Sequence, residues 1–166
     1  MKEEVILVDE NDQERGIMEK MEAHRKGELH RAISVFIFNS AGEMLLQKRA
    51  TGKYHSGGLL TNACCSHPRP GEGVHEAARR RLREEMGLQA ELEPKGTFIY
   101  RTEFGNGLTE HELDHVFEGV TDSVPVVNSQ EADGFYYMNL AEIKTRIEQN
   151  PGQFTSWFRI AMKKVY

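Results

Sequence analysis

The chain has little that suits disulfides, membranes or nucleic acid. Its 166 residues hold only two cysteines, Cys64 and Cys65, and these are adjacent. A bridge between neighbours would be strained, so no disulfide framework is available. The longest apolar stretch, around Ala32 to Phe38, falls far short of the roughly 20 residues that cross a bilayer. A basic surplus is missing as well: 21 Lys and Arg stand against 26 Asp and Glu, for a formal net charge of −5. That balance argues against a general nucleic-acid binder, though it leaves room for a local basic pocket. There is no internal repeat, low-complexity tract or linker. The opening MKEEVILVDEND is acidic where a secretory signal is basic and then apolar. The expectation is one domain over 1–166, cytoplasmic, with both cysteines as thiols and no membrane insertion.

What is present alternates between strand-like and helix-like patterns. Short β-rich runs occupy Val5 to Val8, Ala32 to Phe38, Met44 to Lys48, Leu59 to Ala63, Phe98 to Arg101 and His111 to Glu118. Asn39 to Glu43, NSAGE, reads as a hairpin turn. Helical patterns cover Glu72 to Met86, Leu140 to Gln149 and Phe154 to Lys164, with Asn139 as an N-cap and Gly87 as a C-terminal stop. Strands with intervening and terminal helices predict an α+β domain, a mixed β-sheet flanked by helices.

Two elements carry charge where apolar residues are expected. On the helix from Glu72, the residues Val74, Ala78, Arg81, Leu82 and Glu85 share one stripe of roughly 100°. Arg81 and Glu85 are then either a partly buried salt bridge or one border of a polar site. Glu76 and Arg80 have the favourable i,i+4 order of a solvated surface pair. On the strand, period-two alternation sends Glu110, Glu112 and Asp114 to one face and His111, Leu113, His115 and Phe117 to the other. The bland reading is an exposed acidic face. The alternative is two glutamates converging on a divalent ion.

Of the seven histidines, His24, His30 and His67 stand out as possible ligands, while His55, His75, His111 and His115 read as ordinary surface or core residues. Three imidazoles plus two carboxylates would nearly complete an octahedral shell, suited to manganese, magnesium or zinc. Spacing alone does not assemble those five residues.

A family likeness does. TNACCSHP at 61–68, EHELDHVF at 110–117 and TSWF at 155–158 occur in the order of the type I isopentenyl-diphosphate isomerases, which are Nudix-fold enzymes. The chain resembles them from about Val5 to Phe158. The resemblance implies an α/β/α-type fold. It further implies that His24, His30, His67, Glu110 and Glu112 bind one divalent metal (Mn²⁺, Zn²⁺ or Mg²⁺), and that Cys65 and Glu112 transfer protons with Tyr100 assisting the glutamate. Trp157 would close over the isoprenoid. Lys20, Arg49, Lys53 and Arg81 would grip the diphosphate of a small-molecule isoprenoid substrate, and Glu85 would help hold a Mg²⁺ arriving with it.

A Nudix hydrolase of a nucleoside diphosphate derivative is the competing enzyme. Aligned on Gly87, the hydrolase signature falls on Ser66, Glu72, Arg80, Arg81, Leu82, Glu84, Glu85, Gly87 and Leu88. Ser66 replaces its first glycine, and Arg81 replaces a glutamate that would ligate metal for hydrolysis. A cation there suits holding a diphosphate better than cutting it. The chain also departs from the isomerases, with Leu60 for a tryptophan before the TN pair and no proline in HSGG at 55–58. Cys64 reads as a small buried hydrophobe.

Overall fold

The computed structural model describes residues 2–53 and 55–166. Its centre is β3 (His30–Phe38), where side chains alternate between two apolar layers. Ile33, Val35 and Ile37 pack with Ala77, Ala78, Leu82 and Met86 of α2 (Val74–Met86). Phe36 faces the other way, onto Phe154, Phe158 and Ile143. The last two belong to α4 (Ser156–Val165) and α3 (Leu140–Gln149). Both faces of β3 are therefore covered, and from Ala32 to Phe38 its sequence is apolar except for Ser34, because neither face is open to water. The result is the expected mixed sheet between helices.

Strand pairing sets the site. β3 runs parallel to β8 (Thr109–Val120), in a register that opposes His30 to Glu112. On its other side it pairs antiparallel with β6 (Cys64–Ser66), which opposes Ser34 to Cys65. β8 also pairs antiparallel with β7 (Glu93–Glu103), placing Tyr100 opposite Glu112. Three chemistry-bearing segments thus meet around one end of β3. β4 (Met44–Arg49) joins β5 (Leu60–Thr61) and β9 (Ala132–Met138), while β1 (Glu4–Val8) pairs with β2 (Glu14–Glu19) at the edge.

Several expectations shift. The run from Leu59 to Ala63 is not one strand but breaks after Thr61, with Asn62 and Ala63 turning the chain into β6. The Asn62 amide donates to the carbonyls of Val35 and Cys64, holding that turn. α2 begins at Val74 rather than Glu72, because Glu72 accepts from the Arg69 amide and from Arg80 ahead of the helix. Arg80 pairs with Glu72 and Glu84, not with Glu76. α4 begins at Ser156 because Phe154 bridges to Leu60 and the Thr155 side chain caps the helix. β2, β9 and α1 (Lys20–Lys26) had no sequence counterpart: β2 is an exposed edge without alternation, and α1 is only seven residues long. The NSAGE turn, the Asn139 cap and the Gly87 stop stand as read. Among the described residues, no helix is long and apolar enough to cross a membrane.

Candidate metal centre and active site

α1 and the start of β3 deliver two imidazoles to one point. The left-handed Gly27 ends α1 and reverses the chain, so that His24 and His30 come to lie with ring centroids 5.2 Å apart. His67, just beyond β6, brings a third ring 5.0 Å from His30 and 5.9 Å from His24. Opposite them lie Glu110 and Glu112. The acidic face of β8 is not exposed: Glu110, Glu112 and Asp114 are 4%, 5% and 1% accessible.

Hydrogen bonds set the chemistry of the donor atoms. Nδ1 of His24 donates to the Lys20 carbonyl at 2.7 Å, and Nδ1 of His30 to the Glu28 carbonyl at 2.8 Å. A carbonyl can only accept, so each neutral ring turns an Nε2 lone pair inward. Those nitrogens meet carboxylates: His30 and His67 lie 3.1 and 2.7 Å from Glu112 Oε2, and His24 lies 3.7 Å from Glu110 Oε2. Neutral rings would set these lone pairs against carboxylate oxygens, so the cluster calls for positive charge, either protons on the imidazoles or a bound cation. Side chains suited to a divalent metal are therefore assembled, with ligand atoms of His24, His30, His67 and Glu112 all within 4.8 Å of one another.

Tyr100 ties the two glutamates together, its single hydroxyl proton shared between Glu110 and, at 2.6 Å, Glu112 Oε1. Burial would raise both carboxyls, but the imidazoles outweigh it and hold Glu112 well below the ordinary range and Glu110 at about 2. Burial also opposes charge on His24, yet Glu110, Glu112 and the Lys20 carbonyl raise its pKa. In His67 burial wins, and the pKa falls.

Cys65 shares a small cavity with His67 and the two glutamates. Arg49, His55, Cys65, Ser66, His67, Glu110, Glu112 and Trp157 line a space of about 30 Å³. The thiol donates to Asn62 Oδ1 at 3.1 Å and lies 3.4 Å from Ser34 Oγ, which in turn donates to Asp114 at 2.5 Å. Burial pushes the Cys65 and Asp114 pKa values well above their ordinary ranges, so Cys65 is held as a thiol. Cys64 is fully buried in the core, as expected.

The basic residues form a second arc. Arg81 pairs with Glu84, Glu85 and Glu131 at 3.0, 3.5 and 3.3 Å, and Lys53 with Glu131 at 2.7 Å. Lys20 pairs with Glu3 at 3.1 Å. Arg49 lies 5.1 Å from the Trp157 ring centroid. Lys20, Lys53, Arg81, Glu85 and Tyr100 do not line the cavity, whereas Cys65, Glu110, Glu112, His67, Arg49 and Trp157 do. Leu60 does not line it either; it packs into the layer of Phe36, Phe154 and Phe158. Glu85 is the buried end of the charged stripe on α2, its pKa raised to about 7 by burial despite Arg81.

Sequence reasoning missed four neighbours of the site. Ser34 and Asn62 touch the thiol, and Asp114 was placed on the right face without a role. His55, read as an ordinary histidine, lies 3.1 Å from Glu110. Only the alternation that joins Asp114 to Glu112 was a usable signal; the others depend on contacts between distant segments.

This sheet, sandwiched between helices and carrying a histidine–glutamate cluster at one end, defines a class. The NUDIX domain model matches residues 28–158. DR0079 of Deinococcus radiodurans, a solved structure, superposes with a TM-score of 0.82 at 22% identity, covering 99% of each chain. Likeness at that identity establishes the fold. Closer in sequence are an isopentenyl-diphosphate Delta-isomerase of Pectobacterium atrosepticum, 56% identical over 98% of this chain and 90% of its own length, and isopentenyl-diphosphate Delta-isomerase 2 of Aromatoleum aromaticum, 52% identical over 99% and 87%. The chain belongs to the isopentenyl-diphosphate Delta-isomerase family within the NUDIX fold.

Proposed function

We propose that this protein converts isopentenyl diphosphate to dimethylallyl diphosphate by adding a proton at one carbon and removing one from another. The observation that carries this reading is that Cys65 and Glu112, delivered by different strands, line one cavity beside Trp157. An unactivated alkene needs a well-placed acid and a second group to take a proton away, and these two come from β6 and β8, which both pair with β3. Cys65 Sγ holds its proton through burial and the nearby Asp114. Glu112 Oε1 is steadied by the Tyr100 hydroxyl. Because the reaction is reversible, each group serves as acid in one direction and base in the other.

Protonation leaves a tertiary carbocation. The Trp157 indole already lies near the Arg49 cation, and an aromatic face stabilises a desolvated cation by about 2 kcal/mol. The cavity has room for only one or two water molecules, which limits capture of the cation by water. A five-carbon chain needs more space, so substrate binding moves part of the wall outward.

His24, His30, His67, Glu110 and Glu112 would hold one divalent ion, Mn²⁺, Zn²⁺ or Mg²⁺. Once bound, that ion acts as a Lewis acid that tunes the acidity of the glutamate and fixes its orientation. Lys20, Arg49, Lys53 and Arg81 would exchange their present partners for the diphosphate, and Glu85 would share a Mg²⁺ accompanying it. The hydrolase reading is weaker, because Glu84 is engaged by both Arg80 and Arg81. A proton and phosphorus NMR time course on isopentenyl diphosphate with Mg²⁺ and trace Mn²⁺ or Zn²⁺, under reducing conditions, is the test. The expected result is growth of the dimethylallyl vinyl signal with the diphosphate intact. Released phosphate would instead establish hydrolysis.

A further inference from the structure

Asn62 contacts the Cys65 thiol with all of its amide hydrogen-bonding positions filled. Its Nδ2 donates to the carbonyls of Val35 and Cys64 at 2.9 and 3.0 Å. Its Oδ1 accepts from Thr61 Oγ1 at 2.9 Å and from Cys65 Sγ at 3.1 Å. An amide turned end for end would set its oxygen against two carbonyl oxygens, so its orientation is fixed. Ser34, the thiol's other polar neighbour at 3.4 Å, sends its own hydrogen to Asp114. The thiol hydrogen therefore points at Asn62.

The bonds continue away from the thiol in one direction. Thr61 Oγ1 accepts from Thr155 Oγ1 at 3.0 Å, and Thr155 Oγ1 accepts from the Phe158 amide at 3.3 Å as the cap of α4. The Thr155 amide also donates to the Leu60 carbonyl at 3.0 Å, which seats the start of α4 on β5. Thr61, Asn62 and Thr155 are all buried. A buried polar network with every member satisfied holds one arrangement. Trp157, just beyond the cap, lines the same cavity as Cys65. We propose that Asn62 is a positioning residue for the Cys65 thiol, and that Thr61 and Thr155 tie its orientation to the seat of α4. One hydrogen-bond chain then sets both the thiol and the helix that carries the aromatic wall. This role rests on the reading of Cys65 as a proton carrier.

The experiment compares the full chain as wild type, Asn62→Ala, Thr61→Val and Thr61→Ser. The infrared S–H stretch of Cys65 is recorded without substrate and isolated by subtracting the spectrum of the matching Cys65→Ala protein. Its frequency falls when the thiol donates a hydrogen bond. The NMR assay on isopentenyl diphosphate supplies kcat and KM. In Asn62→Ala the band is expected to move up, towards that of a free thiol. Its kcat should fall on the order of 10²-fold, the scale of a misplacement of about 1 Å, with KM within about threefold of wild type. Thr61→Val keeps the shape and removes the hydroxyl; a smaller band shift and a loss of about tenfold in kcat are expected. Thr61→Ser keeps the hydroxyl and should restore both. A purely structural role would lower Tm while leaving the band and the kcat measured below Tm in place. An unmoved band in Asn62→Ala and Thr61→Val overturns the hydrogen-bond chain, and a moved band with wild-type kcat overturns the positioning role. If Asn62→Ala does not fold, the two Thr61 variants decide by the same readings. A wild type that shows the low-frequency band but no isomerisation overturns the reading of Cys65 as a proton carrier and not the chain.

Discussion

At the scale of single residues, the site works by restraining protons. Cys65 is kept as a thiol by burial, and Asn62 and Ser34 fix its direction. Glu112 is held ionised by two imidazoles and steadied by Tyr100. Removing either proposed proton carrier should stop the chemistry without unfolding the protein, because neither side chain belongs to the apolar layers. Cys65→Ala and Glu112→Gln are each expected to lower kcat by on the order of 10³-fold or more, the upper range of general acid–base contributions. Rates from the NMR assay, with thermal melts as a folding check, test this. Near-wild-type rates in both variants would show that the protons travel through other groups.

At the scale of elements, strand pairing gathers the side chains of β6, β7 and β8 around β3, and the helices hold that sheet in place. α2 ends at Gly87, with φ +62°. A Cβ there would lie 2.8 Å from both the Cβ and the carbonyl oxygen of Val126, whose amide donates to the Met86 carbonyl. Backbone strain and collision therefore coincide at the end of the helix that presents Arg81 and Glu85. Gly87→Ala is expected to cost about 1 to 3 kcal/mol, lowering Tm by roughly 3 to 10 °C for a chain of this size. Gly105, where an added Cβ meets nothing within 4 Å, serves as the control, with Gly105→Ala expected within about 0.5 kcal/mol of wild type. Differential scanning calorimetry of the pair measures the combined cost of strain and collision at Gly87.

At the scale of the whole molecule, burial of charge trades stability for function. Glu85 sits beneath the basic arc with its pKa raised to about 7. An unfolded glutamate titrates near 4.5, so the native state keeps the proton over a window in which the unfolded state has lost it. This contribution is constant below about pH 4.5. It falls as pH rises to about 7, by on the order of 3 kcal/mol, and is constant again above that. Glu85→Gln cannot ionise, so its stability relative to wild type should rise between pH 5 and pH 8. Urea unfolding of both proteins at several pH values measures the difference. A constant difference would mean that Glu85 titrates normally in the folded chain.

The main strands of the core, its three longer helices, the Asn139 cap and the Gly87 stop were legible because they follow from periodicities of 2 and 3.6 and from local capping chemistry. Motif order singled out His24, His30, His67, Glu110 and Glu112, residues that no local rule connects and that the fold brings close together. Tertiary structure alone decided what depends on register and on contacts between distant segments. The parallel pairing of β3 with β8 sets His30 against Glu112, and the antiparallel pairing with β6 sets Ser34 against Cys65. Burial turned an acidic strand face that reads as solvated into the floor of a site. It also brought His55 to Glu110 from a segment with no periodic signal. Sequence patterning records which face of an element is apolar, whereas the partner of a buried polar group is set by the packing of the whole chain.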